Sequence, residues 1–320
     1  MFLLLGYDDE TTMRHLVKYL EAGTDPGAYE FLDLNVFKSC KQFSVSHEKD
    51  LCLRVDDREY DFSRYHTIFS RCYGKSVGEE ADNGRTTRII RLLGNYLDFC
   101  DKRVVNRPSA GYSNYSKLLH SRRLKDFGFN VPDTFVTGSE RRAKELLQPD
   151  ENWVSKGASS LRTRAVPFDF RLYVNLDLVN RCPTLFQKRI KGYDVRVHVV
   201  GDRILGLQIQ ASNLDYRYDT AENEYAEILV PQDIQDRCRA YCKQDGLLFA
   251  GIDFKVDEQG TWYVLEVNPM PGYNFFDKKM GNKISEALCE FLGRGAAVAA
   301  SNNGYRLDRP FIAINRRTMS

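Results

Sequence analysis

Residues 250–273 constrain the fold of this 320-residue chain more than any other stretch. The apolar residues Ile252, Phe254 and Val256 alternate with polar ones, a turn containing glycine follows, and the next segment is rich in β-branched and aromatic residues. Alternation with a period of two indicates a strand with one buried face, and two such segments around a turn indicate a β-hairpin. The stretch therefore predicts two antiparallel strands joined by a short turn.

Three oxygen-bearing side chains of this hairpin are difficult to explain by folding alone. Glu266 and Asn268 project from the same strand face, and Asp253 lies near them if the two strands pair about the turn. Two carboxylates on one face repel each other unless a cation lies between them. Carboxylate and amide oxygens suit Mg²⁺, which completes its shell with water and phosphates. The alternative is a surface hairpin with a hydrated polar face, which an isolated Glu-x-Asn pattern favours.

The composition is typical of a globular protein without an unusual partner. Hydrophobic residues make up 42% of the chain and charged residues 28%, and the formal net charge of +2 gives no reason to expect nucleic acid or a membrane as the main partner. The apolar N-terminal run is too short for a signal peptide, and no stretch approaches the length of a membrane span. We therefore expect a cytoplasmic protein.

The eight cysteines form no Cys-x-x-Cys pair and have no matching histidines. Cys238 and Cys242 fall on one apolar face of a predicted helix, together with Ile234 and Tyr241. We expect reduced thiols that pack in the core rather than metal ligands.

Strands and helices alternate in the first part of the chain, which favours a small α/β domain ending near residue 108. A single helix is predicted over residues 279–292. Polar segments at residues 76–85 and 215–227, and an aromatic turn at 273–276, are expected to contact substrate, although ordinary surface loops explain them equally well.

Two lysines are candidates for phosphate binding. Lys156 ends a predicted strand and precedes a turn of small residues, 157–160, which includes Ser159. Small residues let backbone N–H groups approach phosphate oxygens, and the lysine supplies the counter-charge. Lysines end many strands, however, and Lys117, which opens a helix, is by itself typical of a solvated helix residue.

The segment from Gln187 to Asp194 has features of a nucleotide contact. It is a strand that ends in a glycine turn and resumes at the acidic residue. The backbone of Lys188, Arg189 and Ile190 can then meet a purine edge while Asp194 reaches a ribose hydroxyl, as acidic residues do in other nucleotide folds.

Two arginines are candidates for phosphate contact. Arg196 shares a strand face with Asp194 and His198, and Arg217 lies in the polar segment 212–219. Arginine is suited to bidentate contact with phosphate. We interpret His198 as structural, because lone strand histidines pack more often than they catalyse.

In order and spacing, these residues resemble the ATP-grasp superfamily. Segments 194–201 and 265–269 are most similar to its RimK-like branch, which includes ligases that crosslink or extend ribosomal peptides. The resemblance covers roughly residues 105–292. It implies an α/β (α+β) fold in which two α+β subdomains grip ATP behind a small Rossmann-like domain. The implied parts are the N-terminal domain 1–108, the central subdomain 109–185, the C-terminal subdomain 186–302 and a tail 303–320.

The resemblance also implies the roles of the site residues. The chain differs from many members at Gln187, where they have Glu, and at Gly251, where some superfamily ligases have an arginine that stabilises the intermediate. The implied nucleotide contacts are to phosphate by Lys117, Lys156 and Ser159, to adenine by Gln187, Lys188, Arg189 and Ile190, and to ribose by Asp194. The implied ligands of one or two Mg²⁺ ions, for which Mn²⁺ can substitute, are Asp253, Glu266 and Asn268. Arg196 and Arg217 are the implied contacts of the γ-phosphate or the acyl phosphate.

The function implied by the resemblance is ATP-dependent ligation. A peptide or small-molecule carboxylate would be activated as an acyl phosphate and joined to an amine or hydroxyl acceptor, with release of ADP and phosphate. Relatives of this type often pair, so a homodimer is compatible with the resemblance. Two alternatives remain, namely a kinase of the same fold that phosphorylates a small-molecule hydroxyl and a nucleotide-binding module without catalysis.

Overall fold

The computed structural model describes residues 1–47, 50–72, 84–147, 152–158, 166–168, 179–211 and 223–294. Ser159 and Arg217 lie outside these described residues, as do the tail 303–320 and nearly all of the predicted loop 76–85. In the described ranges, every helix is too short or too polar to span a membrane.

The N-terminal part is built on a parallel sheet. Its elements are β1 (Phe2–Gly6), α1 (Thr11–Gly23), β2 (Tyr29–Asp33), α2 (Val36–Ser39), β3 (Phe43–His47), β4 (Leu51–Val55), β5 (Arg58–Asp61), β6 (Thr67–Ser70), α3 (Arg85–Phe99) and β7 (Arg103–Val105). The parallel sheet has the order β2-β1-β6-β7, and β3-β4-β5 form a separate antiparallel meander. Every residue of β1 is buried, as expected for a short apolar strand covered on both faces.

The middle part is a small antiparallel sheet with two helices. Its elements are α4 (Lys117–Asp126), β8 (Thr134–Thr137), α5 (Glu140–Leu146), β9 (Trp153–Gly157), β10 (Val166–Phe168) and β11 (Thr184–Lys188). The strand order is β10-β9-β11-β8. The predicted boundary between residues 185 and 186 falls inside β11, which pairs with β9 as far as Lys188.

The C-terminal part is a larger antiparallel sheet, of order β14-β13-β12-β15-β16. Its elements are β12 (Gly192–Val200), β13 (Arg203–Gln210), β14 (Glu224–Ile228), α6 (Gln232–Asp245), β15 (Phe249–Asp257), β16 (Trp262–Asn268), α7 (Asn274–Lys279) and α8 (Lys283–Gly293). The predicted hairpin is present as β15 and β16. Its register shifts between Asp253 and Phe254, so that Leu265 is an extra residue on β16.

Two local predictions in this part need correction. The helix predicted over residues 279–292 is present as α8 but begins only at Lys283, because Asn282 adopts a left-handed conformation and the buried Asp277 side chain accepts hydrogen bonds from the N–H groups of Ile284 and Ser285. Residues 224–227, predicted as part of a loop, belong to β14. That strand exposes residues on both faces, so no apolar alternation marked it.

The N-terminal and C-terminal parts share one hydrophobic layer, formed where α1, α7 and α8 pack between their sheets. Its buried members include Phe2, Leu4, Met13, Leu16 and Leu20 from the first part and Val200, Phe249, Tyr273, Ile284 and Leu288 from the last. Polar contacts flank this layer. His15 Nε2 lies 2.7 Å from Asp277 Oδ2, and Arg71 pairs with Glu10 while donating to the Pro271 carbonyl at 3.0 Å.

Asn106 links the first part to the hairpin through its side-chain amide. Its Oδ1 accepts from the N–H groups of Leu248 and Phe249 at 2.8 and 3.1 Å, and its Nδ2 donates to the carbonyls of Phe249 and Pro269. This one side chain therefore satisfies four backbone groups where β15 begins and just after β16 ends.

Replacing Asn106 by alanine is expected to destabilise the fold strongly, because four partly buried backbone groups lose their partner. We expect the free energy of unfolding from urea titration to fall by about 3 kcal/mol. Asn95→Ala, on the exposed face of α3, is the matched control and should change it by less than about 0.5 kcal/mol. Equal values for the two variants would show that the Asn106 contacts contribute no stability.

Candidate functional site

Three charged residues form a row across neighbouring strands of the C-terminal sheet. Arg196 on β12 lies opposite Asp253 on β15, which lies opposite Glu266 on β16. Arg196 is buried and donates from Nη1 to Asp253 Oδ1 at 2.7 Å. The guanidinium therefore offsets the repulsion between two carboxylates that the hairpin brings together.

Gly251 provides the space that the Arg196 side chain occupies. A Cβ at this position would lie 2.5 Å from Cζ of Arg196 and 2.8 Å from Cβ of Pro271, closer than van der Waals contact allows. On other sides the guanidinium lies 5.3 Å from the centre of the Phe276 ring, and its Nε lies 3.5 Å from His198 Nε2. The arginine that some superfamily ligases have at position 251 is absent here, and the guanidinium of Arg196, from the adjacent strand, lies over Gly251 instead.

His198 is fully buried and contacts Arg196, in agreement with its interpretation as structural. Burial, with a smaller contribution from the Arg196 charge, holds the pKa of His198 well below its usual range. The ring packs against Phe249 and Phe276, with centroid distances of 6.3 and 5.4 Å. It is therefore neutral at physiological pH.

The predicted metal ligands share one end of the hairpin. Asn268 lies opposite Gly251, and its Oδ1 accepts from the Met270 N–H at 2.9 Å, while Asp253 has one oxygen on Arg196. Within the described chain, Glu266 has no hydrogen-bond or salt-bridge partner. This set of two carboxylates and one amide fits a cation that takes few protein oxygens and completes its shell with water and phosphate. No cluster of three or more His, Cys, Asp or Glu residues suited to a metal occurs in the described ranges.

A small cavity of about 30 Å³ brings four of the predicted site residues together between the two antiparallel sheets. They are Lys117, Lys156, Gln187 and Glu266. The register shift in the hairpin explains why Leu265 also lines this cavity beside Glu266, because a bulge directs two consecutive side chains to similar sides. Two ammonium groups and one carboxylate therefore face the same space.

Hydrogen bonds hold both lysines of the cavity in position. Lys156 Nζ donates to Gln187 Oε1 at 3.1 Å, and Gln187 Nε2 donates to Thr134 Oγ1 at 3.0 Å. Lys117 Nζ donates at 3.0 Å to the carbonyl of Gly157, the first residue of the predicted phosphate turn. The lysines thus approach one another although they are distant in the sequence.

The segment predicted to meet a purine has part of its backbone already in use. The N–H groups of Lys188 and Arg189 donate to the carbonyls of Asp133 and Asn152, each at 2.8 Å. A purine edge would therefore have to be read by carbonyls of this segment or by the N–H of Ile190.

Asp194 lies away from the cavity lining in this structure. Its Oδ2 accepts from Lys255 Nζ at 3.0 Å, and the two residues are opposite each other on β12 and β15. Its proposed contact with a ribose stays a prediction. Ser159 and Arg217, outside the described residues, likewise remain predictions.

His120 is a residue of this site that the sequence analysis missed. It lines the cavity, is 4% exposed, and accepts the N–H of Val267 at Nε2, with an N···N distance of 3.0 Å. Its Nδ1 lies 3.0 Å from Ser113 Oγ. Burial lowers the pKa of His120 to about 4, against an opposing effect of Asp245. Its position three residues after Lys117, on the same helix face, is the signal that could have identified it.

A larger cavity of about 360 Å³ lies between α4 and residues 131–134, but none of the predicted site residues lines it. It shares only Ser121 and Thr134 with the small cavity. The larger volume and the convergence of charged groups therefore occur in different cavities, and the charged groups make the smaller cavity the candidate site.

Comparison with known proteins identifies the domain family and the fold of the part that carries these residues. Residues 115–272 match the family described as ATP-grasp domain. The chain is 27% identical over 210 residues to beta-citrylglutamate synthase B of Danio rerio, an alignment that covers 62% of this chain and 52% of that protein. The chain thus spans about half the length of the curated relatives it matches.

Two solved structures are similar over most of the chain. One is a RiPP-associated ATP-grasp ligase of Chryseobacterium gregarium in complex with ADP and a leader and core peptide, with a TM-score of 0.76, 20% identity, and coverage of 91% of this chain and 96% of that one. The other is the ATP-grasp ligase PsnB with a precursor variant, Mg and ADP, with a TM-score of 0.73, 22% identity, and coverage of 91% and 97%. The predicted fold class is confirmed.

Gly251→Ala is expected to displace the Arg196 guanidinium and to lower the free energy of unfolding by about 1–3 kcal/mol, because the new methyl group overlaps it. Urea titration measures the change. Gly293→Ala, with open space around its Cβ position, is the control and should have little effect. If the clash is with Arg196, the same substitution should cost less in an Arg196→Ala background, and additive effects of the two substitutions would contradict this explanation.

The pH dependence of stability should report the buried imidazole of His120. Its folded pKa of about 4 lies below the ordinary value of about 6.5, so the unfolded chain binds more protons between these values. The stability that comes from keeping His120 neutral is fully present above pH ~6.5 and is lost as the pH falls towards 4. At pH 5 the free energy of unfolding should be lower by about 2 kcal/mol. Urea titrations at pH 7 and pH 5 should therefore show a smaller pH dependence for His120→Gln than for wild type. Equal dependence in both would contradict the assignment.

Proposed function

Because residues 115–272 of this chain belong to the ATP-grasp domain family, we propose that the protein is an ATP-dependent carboxylate ligase. It would activate a carboxylate as an acyl phosphate and join it to an amine or a hydroxyl, releasing ADP and phosphate. The observation that carries the proposal is the convergence of Lys117, Lys156, Gln187 and Glu266 on one cavity between two sheets.

In the first step, a substrate carboxylate oxygen attacks the γ-phosphorus of ATP and ADP leaves. Lys117 and Lys156 neutralise phosphate charge, and Gln187 with the following backbone holds the purine. Such a transfer needs positioning and electrostatic stabilisation rather than covalent help from the protein. The cavity of about 30 Å³ is smaller than the about 300–1,000 Å³ of ligand pockets, so this proposal requires the two sheets to move apart when nucleotide binds.

Asp253, Glu266 and Asn268 would hold Mg²⁺, which supplies charge neutralisation at the phosphates. The carboxylate of Asp253 is oriented by its bond to Arg196, and that of Glu266 faces the cavity between the sheets. The similar PsnB structure is a complex with Mg and ADP, which supports this choice of cation and nucleotide. The number of ions and the use of Mn²⁺ remain predictions.

In the second step, the acceptor nitrogen or oxygen attacks the acyl carbon, loses a proton, and phosphate leaves. Arg196 would stabilise negative charge near the acyl phosphate, since its guanidinium lies beside Asp253 and is held by surrounding side chains. Arg217 is proposed for the same role from the sequence alone. The peptides in the similar solved structures favour a peptide as the carboxylate substrate.

Glu266→Gln is expected to reduce ATP turnover by at least about 100-fold, because a cation at the phosphates loses a charged ligand. ADP and phosphate release would be measured with candidate peptides, and the product mass recorded. Glu258→Gln, in the exposed turn of the same hairpin, is the control and should retain wild-type turnover.

The product distinguishes a ligase from a kinase. A ligase yields free phosphate and a product that has lost water per new bond, whereas a kinase yields a phosphorylated product and no free phosphate. Normal turnover by Glu266→Gln would show that the proposed metal site is wrong.

A further inference from the structure

Helix α4 contacts both sheets that enclose the cavity. Lys117, its first residue, donates to the Gly157 carbonyl at the end of β9, in the sheet of order β10-β9-β11-β8. One turn later, His120 accepts from the Val267 N–H on β16 of the five-stranded sheet. Residues three apart lie on one helix face, and both line the cavity. The helix therefore joins the strand of the phosphate lysine to the strand of the predicted metal ligands.

The bond at Val267 satisfies a backbone group on the outer edge of the hairpin. Within the described residues, β16 is the last strand of its sheet, and β15 is the only strand that pairs with it, although Tyr263 also forms an isolated bridge with Asn130. Its outward N–H groups at Val264 and Val267 donate to the Asn130 carbonyl, at 2.9 Å, and to His120. Buried N–H groups need such partners. Because Val267 lies between Glu266 and Asn268, the bond fixes the backbone that carries both predicted ligands.

The remaining contacts of His120 hold its ring in one tautomer. A backbone N–H can only donate, so Nε2 accepts and the proton of the neutral imidazole lies on Nδ1, which donates to Ser113 Oγ. Tyr241 packs edge-on against the ring at 6.5 Å. Both ring nitrogens are in use, so His120 has no polar atom left for a nucleotide although it lines the cavity.

We propose that His120 is a positioning residue that sets the distance between Lys117 and the Glu266–Asn268 pair, and thereby couples Mg²⁺ binding to phosphate binding. The inference rests on the proposed function, because it needs a nucleotide and a cation in this cavity. In this role the imidazole does not bind the cation. It orients the residues that do, as hydrogen-bonding neighbours of metal ligands commonly do. Its loss should appear as weaker coupling between the two ligands.

Three variants of His120 separate the two hydrogen bonds of the ring. The amide of Gln reaches as far as Nε2 and can accept from Val267, whereas the amide of Asn reaches only as far as Nδ1 and can bond only to Ser113. His120→Leu keeps much of the volume and removes both bonds. The Gln and Asn variants are both polar and both buried, so their comparison tests the Val267 bond even if the Leu variant does not fold.

The measurement is calorimetric titration of the full chain with ADP, in the presence and absence of Mg²⁺. For wild type and His120→Gln, Mg²⁺ should raise the affinity for ADP. For His120→Asn and His120→Leu, the affinity in Mg²⁺ should fall by about 10- to 100-fold, while the affinity without Mg²⁺ changes little. Binding of ADP by His120→Asn at wild-type affinity in Mg²⁺ would overturn the inference.

Leu124→Val controls for general loosening of α4. Leu124 is fully buried on the same helix, one turn beyond His120, so its truncation should lower the melting temperature and leave the effect of Mg²⁺ unchanged. An equal loss of the Mg²⁺ effect in this variant would also overturn the inference.

If wild type does not bind ADP with Mg²⁺, the proposed function fails and this inference with it. If wild type binds and the Asn variant matches it, only the role of His120 is wrong.

Discussion

The candidate site depends on a buried arginine that pairs with one of two carboxylates on adjacent strands. Removing one partner of a buried ion pair commonly costs about 3–5 kcal/mol, because the other charge stays in a medium that solvates it poorly. Arg196 therefore contributes to the conformation of the hairpin as well as to its charge. The Arg196 side chain lies over Gly251, which has no side chain, and faces the Phe276 ring. The residues at these three separate places in the chain must therefore be compatible with one another.

Sequence reasoning recovers the elements whose burial follows a regular period. Strands β15 and β16 alternate around a turn, and α6 buries one apolar face formed by Ile234, Cys238, Tyr241 and Cys242. The spacing of the oxygen-bearing residues at the hairpin end indicated a metal site only together with the family resemblance. It fails where long-range contacts or unusual backbone decide. The helix predicted from residue 279 begins only at Lys283, because Asn282 is left-handed and the Asp277 side chain caps the start of α8. β14 lacks alternation because both of its faces are partly exposed.

The same limit applies within the site. The convergence of Lys117, Lys156, Gln187 and Glu266 agrees with the roles predicted for them, which nonetheless remain to be tested. The pairing of Arg196 with Asp253 could not be predicted, because it depends on the register between β12 and β15. Nor could the contact between His120 and Val267, two residues far apart in the chain that meet only when α4 packs against the edge of the sheet.

The hydrophobic layer between α1, α7 and α8 has a consequence for how such a protein can evolve. Because the first and last thirds of the chain bury apolar side chains against each other, neither can be exchanged for the equivalent part of a relative without repacking the contact. A truncated chain that began after residue 108 would leave Phe249, Ile284 and Leu288 facing water, and such surfaces promote aggregation. The N-terminal third thus covers apolar surface of the C-terminal part, whatever its share in recognising substrate.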